Sequence, residues 1–293
     1  MIRSKRRLFA PSRAATGLGE STFAEAAWDR SRSATLRGAA VGACVGAVVA
    51  FMANIPAAWV AHGVASATAQ RLLLADARGS LWSGSAVAVL TGGPQSRDAS
   101  ALPGRIEWTF GLRPYGFELK AQHPCCLNGS VTIQVRPGFG RLGFTVLPSR
   151  GWIGQWPSSW LGGLGTPWNT LQLGGTVRLV SPGVKIELVQ GRWWIDGRAD
   201  IELLSVSSRM TTLNTLGNYR MRVSGDSGQG GASRLQLSTQ DGALRLSGEG
   251  TLGPKGLTFR GEARAEAADE PALNNLLNII GRREGARTVI SIG

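Results

Sequence analysis

The sequence predicts a mainly β protein, in which a single N-terminal transmembrane helix is followed by a curved antiparallel β-meander domain with a short C-terminal helix packed on the sheet. Three observations support this fold class. One long run near the N-terminus contains no charged residue. Beyond it, many short segments alternate apolar and polar residues, which is the period of a strand. Glycine supplies 41 of the 293 residues without a collagen repeat, which is typical of turn-rich β structure.

The first 37 residues form a basic leader. They are polar, rich in Ser, Ala and Arg, and weakly periodic, with eight Arg or Lys residues against three acidic ones. A segment of this composition buries too little apolar surface to offset the entropy of ordering it. We therefore predict that residues 1–37 are disordered.

A charge-free run extends from Gly38 to Val64. At about 1.5 Å per helical residue, the run is long enough to cross a hydrocarbon layer about 30 Å thick, and we predict a transmembrane helix over residues 38–60. Asn54 and Pro56 indicate the end of its regular helical part. A cleaved signal peptide and a buried core helix are the alternatives. The run is longer than the apolar core of a signal peptide, and its basic flank is one-sided.

The basic leader also predicts the orientation of the chain. Arg and Lys are retained on the cytoplasmic side of a membrane, so residues 1–37 are expected there and residues 61–293 on the opposite side. The net charge of +13 raises the question of nucleic acid, but after residue 64 the chain carries 24 basic and 16 acidic side chains, an ordinary solvated surface. The leader is better explained by anionic lipid headgroups, and nucleic acid is not an expected partner.

Strands are predicted from about residue 70 onward. The stretch "RGSLWSG", residues 78–84, contains no acidic residue, His or Cys, and is predicted to connect two strands by a tight turn. The Asp241–Gly242 pair predicts a hairpin with a two-residue turn, in which Leu237 opposes Leu246. Both leucines would then lie on one face of the sheet.

Residues 148–169 interrupt this alternation with four tryptophans, Trp152, Trp156, Trp160 and Trp168. Pro157 disfavours the helical conformation at Trp156, so a short helix or turn is expected on each side of Pro157. Two interpretations stay open, an irregular segment that covers the core and a Trp-lined site for sugar or lipid.

The C-terminal segment "DEPALNNLLNIIGRRE" predicts a helix. Asp269 suits the N-cap, Pro271 suits the first turn, and Gly281 follows the last turn. Its apolar stripe consists of Leu273, Leu276, Leu277 and Ile280. The strand before it places small Gly and Ala residues on one face, which would let this helix or an apolar ligand approach the sheet closely.

No catalytic, cofactor-binding or metal site is predicted, and the chain is not expected to be an enzyme. His123 is the one histidine beyond residue 64, precedes Pro124 and is expected in a surface loop. Cys44 lies in the predicted span. Cys125 and Cys126 are adjacent, and a bond between adjacent cysteines departs from preferred disulfide geometry, so free thiols or an intermolecular link are expected. There is no CxxC motif and no His pair at ligand spacing.

Several segments, in their order after the predicted span, resemble the type II secretion system protein N family of Gram-negative bacteria. They are "ARGSLWSGSA", "GNYRMRVSG", "LQLSTQDGALRLSGEG", "LTFRGEARA" and "LLNIIGRREGARTVISI". The resemblance covers the chain from the span to the C-terminus. It implies an inner-membrane accessory of the apparatus that exports folded proteins from the periplasm across the outer membrane.

On this resemblance, residues 61–293 form a periplasmic domain whose partners are other inner-membrane platform subunits and the membrane. The alternating sheet is also similar, more distantly, to AsmA-like proteins that present hydrophobic grooves to lipids. A periplasmic lipid-binding or lipid-shuttling module is therefore the alternative function.

Overall fold

The computed structural model describes residues 38–149, 151–189, 192–225, 233–253 and 256–293, without the side chains of Arg192 and Trp193. The chain divides into two units, residues 1–54 and residues 55–293. The predicted disordered leader, residues 1–37, lies outside the described residues.

The described part of the first unit is a helix, α1, over residues 38–53. Every residue of α1 is exposed, including Val41, Val45, Phe51 and Met52. Within the part of the chain that the structure describes, no helix has both the length and the hydropathy to span a bilayer.

The regular helix ends where Asn54 and Pro56 predict, short of the last residues of the predicted span 38–60. α1 ends before Asn54, and Pro56 is extended, with φ of −65° and ψ of 148°. Proline has no N–H to donate and disfavours helical geometry at the preceding residue, which accounts for the break at Ile55. A second helix, α2, starts at Ala57, which is buried against the sheet. The transmembrane span itself stays a prediction.

The second unit is built around one antiparallel sheet, which confirms the mainly β prediction. Its helices are α2 (Ala57–Ala67), a 3-10 helix (Ser158–Leu164), α3 (Trp168–Leu171) and α4 (Glu270–Ile280). Its strands are β1 (Leu72–Gly79), β2 (Ser83–Thr91), β3 (Ala99–Ala101), β4 (Ile106–Arg113), β5 (Gly116–Gln122), β6 (Ser130–Gly138), β7 (Arg141–Val146), β8 (Trp152–Pro157), β9 (Leu173–Val189), β10 (Arg192–Ser208), β11 (Gly217–Gly225), β12 (Ser233–Asp241), β13 (Leu244–Gly253), β14 (Gly256–Ala265), β15 (Arg282–Glu284) and β16 (Arg287–Ile292).

Strand order follows chain order almost throughout. The sheet runs β1-β2-β4-β5-β6-β7-β9-β10-β11-β12-β13-β14-β16-β15, with β3 attached to β2 and β8 to β9. The long strands β9 and β10 lie in the middle of this order, and their pairing contains register shifts that mark β-bulges. A bulge bends its strand and increases the local twist. The result is a meander in which the side chains of each strand alternate between the two faces of the sheet.

The turn in "RGSLWSG" lies between β1 and β2, as predicted from the sequence. Gly79 has φ of +89°, and a Cβ there would clash with the backbone of Ser83 and Gly84, so the turn requires glycine. Leu81 N–H donates to the Ile55 carbonyl at 2.8 Å, and Phe110 N–H donates to the Trp82 carbonyl at 2.7 Å. The turn therefore connects the start of the second unit to β4.

The hairpin between β12 and β13 has a different register from the predicted one. Leu237 lies opposite Gly248, not Leu246, because Asp241 remains in the strand and pairs with Asn218 of β11. The Asn218 side-chain amide donates to the Asp241 carboxylate at 2.8 Å. The shift is an even number of residues, so Leu237 and Leu246 still share a face.

The C-terminal helix α4 covers the apolar face of β14 and its neighbours. Leu273, Leu276 and Leu277 are buried, as its periodicity predicts, and pack in one cluster with Ala263 of β14. Tyr219 of the same cluster donates its hydroxyl hydrogen to the Leu244 carbonyl at 2.9 Å, and burial raises its pKa. The helix thus occupies the space that the small residues of β14 leave open.

Two details of the α4 ends differ from the prediction. Asp269 stands at the N-cap, but its side chain makes no capping hydrogen bond. Gly281 is extended, with φ of −176°, because the chain passes directly into β15. Arg283 of β15 holds this edge against the helix, with an ion pair to Glu270 at 2.7 Å and a hydrogen bond to Asn274 at 2.8 Å.

Truncation of Leu273 tests whether α4 stabilises the sheet. Leu273 is 0% exposed, so Leu273→Ala should lower the free energy of unfolding by about 2–5 kcal/mol, because the cavity is left largely unfilled. Ile279, on the same helix, is 37% exposed, and Ile279→Ala should change it by less than about 0.5 kcal/mol. Urea unfolding of the full chain in detergent, followed by circular dichroism, measures both. Equal losses would contradict this packing.

An ion-pair group links β1 to the residue before β4 and predicts a pH dependence. Asp76 accepts hydrogen bonds from Arg105 at 2.7 Å and from Arg78, and these lower its pKa below the ordinary 3.8. A lowered folded-state pKa stabilises the protein above the unfolded pKa, and this contribution disappears as pH falls through the folded value. Asp76→Asn should therefore reduce Tm slightly at neutral pH, with the difference vanishing well below pH 3.8. Asp269→Asn is the matched control, and a pH-independent difference for Asp76→Asn would refute the assignment.

Candidate partner-binding site

Two rows of apolar side chains cross six neighbouring strands, from β4 to β10, on one face of the sheet. Residues in each row are direct cross-strand partners. The first row is Leu112, Phe117, Val135, Phe144, Ile186 and Ile195. The second is Phe110, Leu119, Ile133, Val146 and Val184, and it ends at Gly197. We call these two sets the apolar rows.

Strand alternation explains why the apolar rows are so regular. Gln134 and Thr145 are sequence neighbours of row residues and pair with each other on the opposite face. Because successive side chains point to opposite faces, a register without slips keeps all row residues on one side. The bulge in β9 lies between Gly183 and Val180, beyond the last row pair, and so leaves the register of the row residues unchanged.

The apolar rows remain partly exposed to solvent. α2 buries the neighbouring part of this face, around Ala86 and Trp108, and α4 buries the part around Ala263. Every residue of the first row is outside the buried clusters, and Leu112 is 74% exposed. Contiguous exposed apolar surface of this kind is typical of sites for a protein or lipid partner.

The opposite face of β11–β16 is a charged groove of about 1300 Å³. Its lining includes Arg220, Arg222, Glu249, Arg260, Glu262 and Arg287. Arg222 donates to Asp200 at 2.8 Å, and this hydrogen bond raises the pKa of Arg222. Arg260 has no ion pair among the described residues. Such a lining suits a polar or acidic partner and not an acyl chain.

The tryptophan-rich segment forms a small apolar pocket beside the apolar rows. The prediction of a helix or turn before Pro157 is wrong, because Trp152–Pro157 is strand β8, paired with β9, and the 3-10 helix begins only at Ser158. Trp156 and Trp160 stack with ring centroids 6.3 Å apart, and the Trp160 indole N–H donates to the Ser100 carbonyl at 3.0 Å. Both rings line a pocket of about 220 Å³ that is closed by Val177, Leu179 and Ile201. The segment therefore covers the core and leaves a small opening.

His123 lies at the opposite end of β5 from the Arg113–Gly116 turn, and it is buried. It is 4% exposed, which corrects the expectation of a surface histidine, and burial lowers its pKa. Its Nδ1 accepts a hydrogen bond from Cys125 N–H at 3.3 Å, whereas Nε2 has no partner among the described residues. The ring lies beside Gly104, where an added Cβ would come within 3.2 Å of its Cε1 atom.

Cys125 and Cys126 are joined by a disulfide bond, which corrects the expectation of free thiols or an intermolecular link. Ligand atoms of His123, Cys125 and Cys126 lie within 4.8 Å of one another, a donor set that spacing rules for zinc sites did not identify. In the disulfide, the two sulfur atoms are bonded to each other and are not thiolate ligands. This cluster lies in the loop between β5 and β6.

Sequence patterns indicated the apolar residues of this site but not their alignment. Each strand alternates visibly, yet the apolar rows depend on the pairing register of six strands. The charged groove gave no sequence signal, because its residues come from strands separated by hairpins and appear as ordinary surface charges.

Comparison with known proteins agrees with the pattern of segments in the sequence. No curated protein and no solved structure matches the chain. Residues 70–291 match the family described as type II secretion system (T2SS), protein N. That match covers most of the chain and most of the second unit, residues 55–293, which we call the β unit; it extends from just before β1 to Ser291 in β16. The chain therefore belongs to the type II secretion system protein N family.

Proposed function

We propose that this protein is an inner-membrane accessory subunit of the type II secretion system, and that it supports export of folded periplasmic proteins through contacts with other subunits. The observation that carries the proposal is the coincidence of the family match, residues 70–291, with the β unit, residues 55–293. We therefore assign the role of the family to the folded sheet, whose partly exposed faces are suited to binding rather than to catalysis.

Anchoring is the second part of the proposal. α1 has no charged residue, and its apolar side chains are exposed on all sides. A helix that is apolar all round is suited to a lipid environment, and the basic leader before it favours a cytoplasmic N-terminus. We propose that the region around α1 holds the protein in the inner membrane, with the β unit in the periplasm. Other platform subunits would then meet the β unit at a high local concentration.

The two faces of the sheet offer different surfaces to these partners. The apolar rows suit an apolar protein surface, and the charged groove suits a polar or acidic segment. Both surfaces are built on strands and not on loops, so their side chains are held in fixed positions by the pairing of the sheet.

A periplasmic lipid-binding module is the second candidate function, and the apolar rows are the observation that favours it. They form a partly exposed strip across six strands, which lie about 4.8 Å apart. The strip is therefore long enough for an extended acyl chain to lie along it. α4 covers the small-residue face of β14, where the sequence allowed either this helix or an apolar ligand. The apolar rows are therefore the surface to which we assign lipid binding.

Complementation of a deletion strain tests the secretion role. Loss of the gene should reduce the amount of a folded type II substrate in the culture medium, and the full chain should restore it. Exchange of residues 38–53 for an unrelated apolar membrane helix should also restore export, because the helix serves only to anchor. Exchange for a polar soluble helix should not. Normal export in the deletion strain would refute the proposed role.

Substitutions in the apolar rows distinguish the protein-binding role from the lipid-binding role. Val135→Gln with Ile186→Gln makes the strip polar, whereas Gln134→Glu changes the opposite face of the same strand. If lipid binding is the function, the row variant should lose most of the lipid that co-purifies with the wild-type full chain, measured by mass spectrometry, and should lose export with it. If the wild-type chain carries no lipid and the row variant still loses export, the result supports the protein-binding role instead.

A further inference from the structure

Two adjacent hairpin turns expose aromatic side chains beside arginines. The turn between β4 and β5 contains Arg113-Pro114-Tyr115-Gly116, and the turn between β6 and β7 contains Arg136-Pro137-Gly138-Phe139-Gly140-Arg141. Tyr115 is 88% exposed, and Phe139 is fully exposed. We call these two turns, together with Leu112, the tip surface.

The two turns lie side by side. β5 pairs with β6 so that Phe117 opposes Val135, and a Cβ on Gly116 would clash with the Val135 carbonyl. Because β4 and β6 both end at this side of the sheet, their turns project in the same strand direction. The tip surface is therefore one patch and not two separate loops.

The charge of the tip surface is positive. Neither turn contains an acidic residue. Arg113 pairs with Glu118 at 2.6 Å, and this interaction lowers the pKa of Glu118. Arg136 and Arg141 are exposed and have no ion pair among the described residues. The patch thus combines exposed aromatic rings with uncompensated positive charge.

The chain enters the β unit at the same end of the sheet. Ile55, its first residue, accepts the hydrogen bond from Leu81 in the β1–β2 turn, and Trp82 of that turn is bonded to Phe110 of β4. From Phe110 the strand continues to Arg113, a distance of about 10 Å at 3.3 Å per residue. The tip surface therefore lies at the same end of the sheet as Ile55, the first residue of the β unit.

We propose that the tip surface contacts the surface of the membrane in which the chain is anchored, with Tyr115 and Phe139 among the lipid headgroups and Arg136 and Arg141 at anionic phosphates. This inference rests on the anchoring proposed above. Aromatic rings favour the interfacial region of a bilayer, and each basic side chain near an anionic surface adds to the attraction. The contact would fix the orientation of the sheet relative to the bilayer, which a single connecting segment cannot do.

Site-specific photocrosslinking in the full chain tests this contact. The photoreactive phenylalanine analogue p-benzoylphenylalanine replaces Tyr115 or Phe139, and the chain is reconstituted in vesicles of phosphatidylethanolamine and phosphatidylglycerol. Matched controls are Gln122 and Ser130, which are exposed at the other ends of β5 and β6. Lipid adducts, identified by mass, are expected at Tyr115 and Phe139 and not at the controls.

Charge reversal provides the second measurement. Arg136→Glu with Arg141→Glu should reduce the adduct yield at Phe139 by at least about fivefold, since one basic side chain near an anionic surface contributes about that factor. The control is Arg209→Glu. Arg209 follows the last residue of β10, at the end of that strand remote from Arg141, and this variant should leave the yield unchanged. Equal yields in both variants would overturn the assignment of the arginines.

The remaining outcomes distinguish this inference from the anchoring that it depends on. A chain that resists carbonate extraction but forms no lipid adducts at Tyr115 and Phe139 overturns the tip contact and leaves the anchor in place. A chain that is extracted by carbonate and forms no lipid adducts overturns both the tip contact and the anchor. Adducts to another protein at these two positions, in native membranes, would also overturn the lipid contact and assign the tip surface to a partner subunit.

Discussion

Backbone hydrogen bonds between antiparallel strands are the constraint on which the rest of this structure depends. The main path of the sheet runs from β1 to β14 with β3 and β8 attached at its side, and β16 continues the ladder to the short edge strand β15. Because the side chains of a strand alternate between faces, a fixed pairing register decides at once which residues are buried, which are charged and exposed, and which are apolar and exposed. The apolar rows and the charged groove are both consequences of this register.

The helices complete the fold by covering parts of one face. α2 packs on the face around Trp108, the segment with Trp156 and Trp160 packs beside β9, and α4 packs around Ala263. Between these covers, the apolar rows stay in contact with solvent. A partly exposed apolar strip on a sheet of this size is a surface that a partner can bind.

Membership of the type II secretion system protein N family gives these surfaces a context. An accessory subunit needs a fixed position and surfaces that its partners can recognise. The proposed anchor would supply the position, the tip surface would orient the sheet, and the two faces would offer chemically distinct contacts. Apart from Leu112, which belongs to both the apolar rows and the tip surface, these roles are assigned to different residues, so each can be tested by its own substitutions.

The sequence by itself determined the fold class, the strand-turn-strand at residues 78–84, the buried stripe of α4 and the family. These features depend on local patterns, namely alternation, glycine turns and helical periodicity, which neighbouring residues specify. Only the tertiary structure decided the register of the β12–β13 hairpin, which Asn218 of a third strand sets, and the strand conformation of Trp152–Pro157, which β9 imposes. The same holds for the burial of His123 and the proximity of Tyr115 to Phe139. Each of these depends on contacts between segments distant along the chain, and a local pattern carries no information about which distant segment will become its neighbour.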